Sequence, residues 1–184
     1  MESNAREIPS YTSEEYFKLT ENREERTELL DGEIVAMASP SIRHQDIVGG
    51  IYAELRQFVK QNRGSCRPFA APTDVKLDEF NVVVPDVFIA CDPSKFDSQC
   101  YNGAPDFVAE VVSSNRSDDF IRKLYLYRIS GVREYWIIDP LKECVHVYFF
   151  EEDTYPEVYD FHTPIPVHIW GGKLSITISD LEMM

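Results

Sequence analysis

"APDFVAEVVSSNRSDDFIRK", residues 104–123, places a glutamate inside a run of apolar side chains. The residues on either side of Glu110 are of the type that forms a buried strand, and we predict a strand over 106–113. An ionised carboxylate in such a strand costs free energy unless a partner compensates its charge. The segment therefore predicts that another group close to Glu110 offsets that charge.

Two Pro-Asp pairs each offer a second carboxylate. Asp106 lies four residues before Glu110 on the same strand, so the two side chains are about 13 Å apart along the chain. Asp86 lies in a second predicted strand, 81–90, and pairing of the two strands would bring it within about 5 Å of Glu110. Carboxylates that close repel each other, which raises the pKa of at least one of them unless a cation intervenes. A hard cation such as Mg²⁺ takes oxygen ligands and fits this position.

Lys123 follows Glu110 by thirteen residues, on a helix that we predict over 118–130. Together with Asp119 and Tyr127 it forms a stripe at i, i+4 and i+8. Such a stripe is typical of an exposed Asp–Lys pair. It also fits a lysine that points over the strand edge toward the carboxylates, and the pattern leaves both interpretations open.

The remaining elements predict an α/β (α+β mixed) fold with a central mixed β-sheet flanked by helices. Thr12 or Ser13 can cap a short first helix. Asp31-Gly32 is a favoured turn between the two strands of a hairpin. Apolar spacing predicts a long helix over 42–61. Further strands are predicted at 67–71, 73–79, 132–140 and 143–151.

Length and charge limit the class of protein. A chain of 184 residues predicts a flexible arm at 1–10 and a single domain at 11–184. A net charge of −14 counts against a protein that coats nucleic acid by bulk electrostatics. It leaves room for local contacts, and Arg56, Lys60 and Arg63 form a basic stripe on one helix face. The stripe fits a solvated helix face and a phosphate contact alike.

Two further predictions concern the environment of the chain. No window approaches the roughly 18 apolar residues of a membrane span. With a polar N-terminus, this predicts a cytoplasmic protein without a membrane partner. The four cysteines form no CxxC pair, and we expect them to be free, buried or half-buried thiols.

Several stretches between residues 11 and about 140 stand in a characteristic order. They are "YTSEEYFKL", "ELLDGEIVAM", "PSIRHQDI", "VVVPDVFIA", "GAPDFVAEVVS", "DDFIRKLYLY" and "GVREYWIIDP". Their order and spacing resemble the PD-(D/E)XK nuclease superfamily and, within it, the restriction-endonuclease-like proteins of the Uma-two type. The resemblance implies a restriction-endonuclease-like core and an endonuclease that hydrolyses DNA. It also implies Mg²⁺, with Mn²⁺ as a substitute, and a homodimer.

The resemblance also implies roles for individual residues. Glu28 matches the acidic residue of the family's first core element, Asp86 the metal-binding aspartate, and Glu110 the acidic residue of the (D/E)XK strand. The motif's lysine would fall at 112, where this chain has valine, and Lys123 fits the migrated position on the next helix. The implied catalytic set is Glu28, Asp86, Glu110 and Lys123. We expect Asp86, Glu110 and the carbonyl of Val111 to hold the metal, and His44 and the basic residues Arg56 and Lys60 to contact the substrate.

His44 lies near the start of the second helix, where a histidine can also form a helix-start hydrogen bond or be a half-buried ring. Its role as a substrate contact is therefore one of three that the sequence allows. A second function class also remains open, a non-catalytic nucleic-acid-binding or protein-interaction module on the same fold. Regulation of another nuclease or of a transposition system is a third.

Overall fold

The structure is a computed structural model that describes residues 10–21, 25–112, 117–152 and 155–182, without the side chains of 117–120. The helices are α1 Ser13–Thr20, α2 Ile42–Gln61 and α3 Ser117–Ser130, and the strands are β1 Thr27–Leu30, β2 Glu33–Ala36, β3 Arg67–Ala70, β4 Val75–Lys76, β5 Val82–Val83, β6 Val87–Ala90, β7 Tyr101–Asn102, β8 Phe107–Val111, β9 Glu134–Asp139, β10 Cys144–Phe149, β11 Glu157–Asp160, β12 Ile165–Pro166 and β13 Ser175–Ile176.

The strands form two larger sheets and a small ribbon. The central sheet has the order β11-β10-β9-β8-β6-β3, and a second sheet has the order β2-β1-β5-β4-β7. β12 and β13 pair with each other. In the central sheet β8 and β9 are parallel, with α3 as the crossover between them, and the other neighbours are antiparallel. The prediction of a mixed sheet with flanking helices is confirmed.

The side chains of the central sheet alternate between two cores. One face packs against α2, which contributes Ile47, Ile51 and Leu55. The other face packs against α3 and the second sheet, in a core that contains Phe88, Val108 and other even-numbered residues of β6 and β8. Because side chains alternate along a strand, Glu110 points to this second face, toward α3 and β1.

Local sequence explains where the elements begin and turn. Thr12 caps α1, and Glu15 completes a capping box with it. Asp31 and Gly32 adopt φ values of 49° and 79°, as the tight turn between β1 and β2 requires. Ser41 caps α2 by accepting a hydrogen bond from the backbone N–H of His44, which sets His44 in the first helical turn.

The predicted strand 81–90 is wrong as a single element. It consists of β5 in the second sheet and β6 in the central sheet, separated by Val84, Pro85 and Asp86. Proline has no N–H to donate and so interrupts a ladder of strand hydrogen bonds. As a result the chain passes from one sheet to the other at Asp86, and only β6 pairs with β8.

The prediction of four free thiols is wrong for two of the cysteines. Cys66 and Cys91 form a disulfide. Arg67 of β3 pairs with Ala90 of β6, and one further step in the same antiparallel register places Cys66 opposite Cys91. Cys100 and Cys144 are free, as expected.

Two other predictions, the N-terminal arm and the lack of a membrane span, can be compared only with the described residues. Residues 1–9, nearly all of the predicted arm, lie outside the described residues, and the division into arm and domain stays a prediction. Within the ranges given above, no helix is long and apolar enough to span a bilayer.

Candidate active site

Four separate elements bring the predicted catalytic residues together. Glu28 lies on β1, Glu110 on β8 and Lys123 on α3, with exposed fractions of 1%, 6% and 5%. Asp86 lies at the break between the two sheets. Extending the β6–β8 register by one residue places Asp86 opposite Glu110, because Val87 pairs with Ala109.

Two donors from α3 offset the charge of Glu110. Lys123 Nζ lies 3.1 Å from Glu110 Oε1, and the Tyr127 hydroxyl donates to the same oxygen at 2.7 Å. Lys123 and Tyr127 are one helical turn apart and therefore share a face of α3. The interpretation of Lys123 as half of an exposed pair is wrong, because its side chain is buried against two carboxylates. The side chain of Asp119 lies outside the described part of the chain.

Glu28 shares the ammonium group of Lys123. Its Oε1 accepts a hydrogen bond from Lys123 Nζ at 2.8 Å and another from the backbone N–H of Val84 at 2.9 Å. Val84 belongs to the same break in the chain as Asp86. The break thus supplies both a carboxylate of the site and a donor that fixes the carboxylate of Glu28.

Asp86 is held in a similar way by groups from α2 and β8. Its Oδ2 accepts the backbone N–H of Val111 at 2.9 Å and lies 3.1 Å from His44 Nε2. Burial lowers the pKa of His44, but the hydrogen bond and charge of Asp86, together with the charge of Glu110 and the backbone of Val111, outweigh it and raise the pKa overall. The direct contact between His44 and Asp86 thus favours the charged form of the histidine.

The three carboxylates share one bonding pattern. In each, one carboxylate oxygen contacts two donors. The other oxygen accepts no hydrogen bond from a described residue; these oxygens are Glu28 Oε2, Asp86 Oδ1 and Glu110 Oε2. Orientation by one oxygen with the other left open suits carboxylates that ligate a hard cation. No group of three or more His, Cys, Asp or Glu side chains in the described ranges is arranged to hold a metal ion. Metal ligation by Asp86 and Glu110 therefore stays a prediction.

The pKa of Glu110 is raised to about 7. Burial is the main cause, and the charges of Asp86 and Glu28 add to it, whereas Lys123 and Tyr127 act in the opposite direction. We expected repulsion and burial to raise the pKa of at least one carboxylate, and for Glu110 burial contributes more than the repulsion. Without a further cation, Glu110 has a strong tendency to take up a proton near neutral pH.

This shift predicts a pH dependence of stability. The pKa of Glu110 rises from an ordinary value of 4.5 to about 7 on folding. The resulting stabilisation is complete below pH 4.5 and is lost as the pH rises through 7, because the folded state then gives up its extra proton. Glu110→Gln should remove this component. The measurement is the free energy of unfolding by urea in EDTA, from pH 4.5 to 8, for both proteins. The wild-type value should fall with rising pH relative to the variant; parallel curves would contradict the assignment.

Other predicted residues lie apart from this cluster. Asp106 accepts hydrogen bonds from the Cys91 N–H and from Arg133, and its exclusion from the metal site stays a prediction. Arg56 and Lys60 are exposed on α2, twelve and sixteen residues beyond His44. At a rise of about 1.5 Å per residue, Arg56 is about 18 Å from His44 along the helix axis. Substrate contacts by Arg56, Lys60 and His44, and ligation by the Val111 carbonyl, stay predictions.

Tyr127 is a member of the site that the sequence pattern placed on the Lys123 stripe without a role. Its position four residues after Lys123 was the available signal, since residues at that spacing lie on one helix face. The hydroxyl group is what connects it to Glu110, and burial raises the pKa of Tyr127 well above its ordinary value. Tyr127 is therefore a neutral donor that orients Glu110.

Comparison with known proteins identifies the family and the fold of the chain. The family model of Uma2, described as "Putative restriction endonuclease", matches residues 13–168. A solved structure from Anabaena variabilis ATCC 29413, titled as "a putative nuclease belonging to DUF820", has a TM-score of 0.76 and 24% sequence identity; the match covers 92% of this chain and 96% of that one. It shows that the two proteins share a fold. No curated protein matches the chain.

Proposed function

The chain belongs to the Uma2 family, and from this membership and the site geometry we propose that it is a Mg²⁺-dependent endonuclease that hydrolyses phosphodiester bonds in DNA. The observation that carries the proposal is the bonding pattern of the carboxylates around Lys123. Within the described residues, each carboxylate is oriented through one oxygen and leaves the other open. A purely structural ion-pair network has no need of three such open oxygens.

Asp86, Glu110 and the carbonyl of Val111 would hold the ion, with Glu28 completing the acidic shell directly or through water. Mg²⁺ bound there would polarise a phosphate oxygen and lower the pKa of a coordinated water. Mn²⁺ would substitute for it, because it accepts the same oxygen ligands.

The remaining groups orient these ligands and carry charge. The Val111 N–H and His44 fix Asp86, and Tyr127 fixes Glu110. Lys123 is the buried cation beside both Glu28 and Glu110. It would position the attacking water or stabilise the negative charge that develops on the phosphate in the transition state.

Substrate binding is proposed to use local positive charge. His44 stands at the site, and Arg56 and Lys60 offer cations farther along α2 for the phosphates of a duplex. Because the net charge is −14, binding should depend on these groups and on the metal rather than on the whole surface. A homodimer would suit cleavage of both strands, since two-fold symmetry matches the two antiparallel strands of a duplex.

The test is nicking of supercoiled plasmid in MgCl₂, in MnCl₂ and in EDTA. We expect cleavage with either metal and none in EDTA, and loss of cleavage in Glu110→Gln. Arg133→Met is a matched control, since Arg133 pairs with Asp106 and Glu151, away from the site. Metal binding without nicking in any condition would overturn the nuclease and favour the non-catalytic module.

A further inference from the structure

The described part of α3 contacts its surroundings through both polar and apolar side chains. Its second half is anchored in the core by Leu126 and Tyr127. On the outer side Ile121, Tyr125 and Ile129 are 72%, 67% and 60% exposed, and so they do not pack the helix onto the sheets. Near Lys123, the described contacts of the helix with β1 and the β1–β2 hairpin come from polar side chains.

Arg122 reaches the hairpin formed by β1 and β2. Its Nη2 donates to the Leu30 carbonyl at 2.5 Å and its Nε to Asp31 Oδ2 at 2.9 Å. Its Nη1 lies 3.4 Å from a Glu33 carboxylate oxygen. The guanidinium group thus contacts the end of β1, the turn and the start of β2 together. A lysine cannot do this with one compact ammonium group.

Arg122 and Lys123 are neighbours on α3, and both contact β1. Lys123 contacts the side chain of Glu28, and Arg122 contacts the carbonyl of Leu30, two residues farther along the strand. Two residues of a strand span about 6.6 Å and keep a fixed relation to each other. A displacement of α3 that breaks the Arg122 contacts would therefore also move Lys123 relative to Glu28.

We propose that Arg122 is a positioning residue for Lys123. The proposal rests on the proposed function, in which Lys123 acts on the phosphate. An ammonium group that turns toward a phosphate weakens its contacts with Glu28 and Glu110. The contacts of Arg122 involve a backbone carbonyl and two carboxylates outside the site, so they hold α3 in place throughout. Exposed ion pairs contribute little to stability, and the main effect of Arg122 should fall on the geometry of Lys123.

The test compares Arg122→Met with Arg133→Met. Arg133 is a matched control, because its side chain is 37% exposed against 33% for Arg122 and it also pairs with two carboxylates. The first readout is the ¹⁵N–¹H signal of the Lys123 ammonium, identified by its loss in Lys123→Met. The second is single-turnover nicking of supercoiled plasmid in MgCl₂. Thermal unfolding of both variants reports any general loss of stability.

We expect Arg122→Met to shift or broaden the Lys123 signal and to slow nicking about tenfold, since displacements of about 1 Å can cost up to a hundredfold. The plasmid concentration for half-maximal rate should not change. Arg122→Lys should restore part of the rate. Arg133→Met should change neither the signal nor the rate, even if it lowers the melting temperature as much as Arg122→Met does.

An unmoved Lys123 signal in Arg122→Met, or equal slowing in both variants, would overturn the proposal. If Arg122→Met does not fold, Asp31→Asn combined with Glu33→Gln removes the carboxylate partners without altering α3, and asparagine tolerates the positive φ of this turn. If wild-type protein does not nick DNA, the proposed function fails by its own test. The Lys123 signal then decides alone whether Arg122 positions Lys123.

Discussion

Asp86→Asn should abolish Mg²⁺ and Mn²⁺ binding while leaving the protein folded. The substitution keeps the shape of the side chain but removes the charge of a proposed metal ligand. Loss of groups that merely support a ligand costs about 10–100-fold in metal affinity, and loss of the ligand itself should cost more. The metal-free variant should be at least as stable as the wild type, because the Asp86 charge raises the pKa of buried Glu110. Isothermal titration with MnCl₂ and urea unfolding in EDTA measure the two effects.

The other Pro-Asp pair provides the control for this experiment. Asp106 follows Pro105 as Asp86 follows Pro85, and its carboxylate also accepts a backbone N–H, from Cys91. It pairs with Arg133 and lies away from the carboxylate cluster. Asp106→Asn should therefore keep the Mn²⁺ affinity of the wild type. Unchanged Mn²⁺ affinity in Asp86→Asn would refute the assignment of Asp86 as a ligand.

The predicted helices agree well with the structure because their signals are local. The apolar spacing over 42–61 and the cap at Thr12 each depend on residues within a few positions of one another. The strand 81–90 failed for the opposite reason. An apolar run indicates burial but not the sheet in which it is buried, and the exchange of sheets at Pro85 depends on tertiary pairing. The Cys66–Cys91 disulfide likewise depends on the β3–β6 register, which joins residues 25 positions apart.

The residues of the site show the same difference between local sequence signals and tertiary contacts. A glutamate inside an apolar strand and the Pro-Asp pair before it point to Glu110 and Asp86 by themselves, and family resemblance adds Glu28 and the catalytic role of Lys123. The direction of Lys123 is set by how α3 crosses the sheet, so the sequence pattern could not separate an exposed pair from a buried cation. The role of Tyr127 follows from the same crossing. We expected a metal ion to compensate the charge of Glu110. Within the described residues, Lys123 and Tyr127 already compensate it.

Lys123→Met should destabilise the metal-free protein. The structure places the ammonium group between Glu28 and Glu110, both buried. Removing one partner of a buried ion pair costs about 3–5 kcal/mol, because the remaining charge lacks compensation. Uptake of a proton by Glu110 should offset part of this cost, so the loss should be smaller at pH 5 than at pH 8. Lys18→Met is the control, since Lys18 forms an exposed i, i+4 pair with Glu14 and its loss should change stability very little.

Mg²⁺ should then separate the structural role of Lys123 from its catalytic role. The ion can replace the missing positive charge near Glu110, so it should raise the melting temperature of Lys123→Met more than that of the wild type. It cannot replace a cation directed at the phosphate. The variant should therefore bind Mg²⁺ at least as tightly as the wild type and DNA nearly as before, but cleave about a hundredfold more slowly in single turnover, as expected when a group that stabilises the transition state is lost. Lys123→Arg should restore only part of the rate, because a planar guanidinium delivers its charge with a different geometry. If Mg²⁺ restores both stability and cleavage to Lys123→Met, then Lys123 serves only to compensate the charges of the two carboxylates. Any cation that acts on the phosphate would then come from elsewhere in the protein.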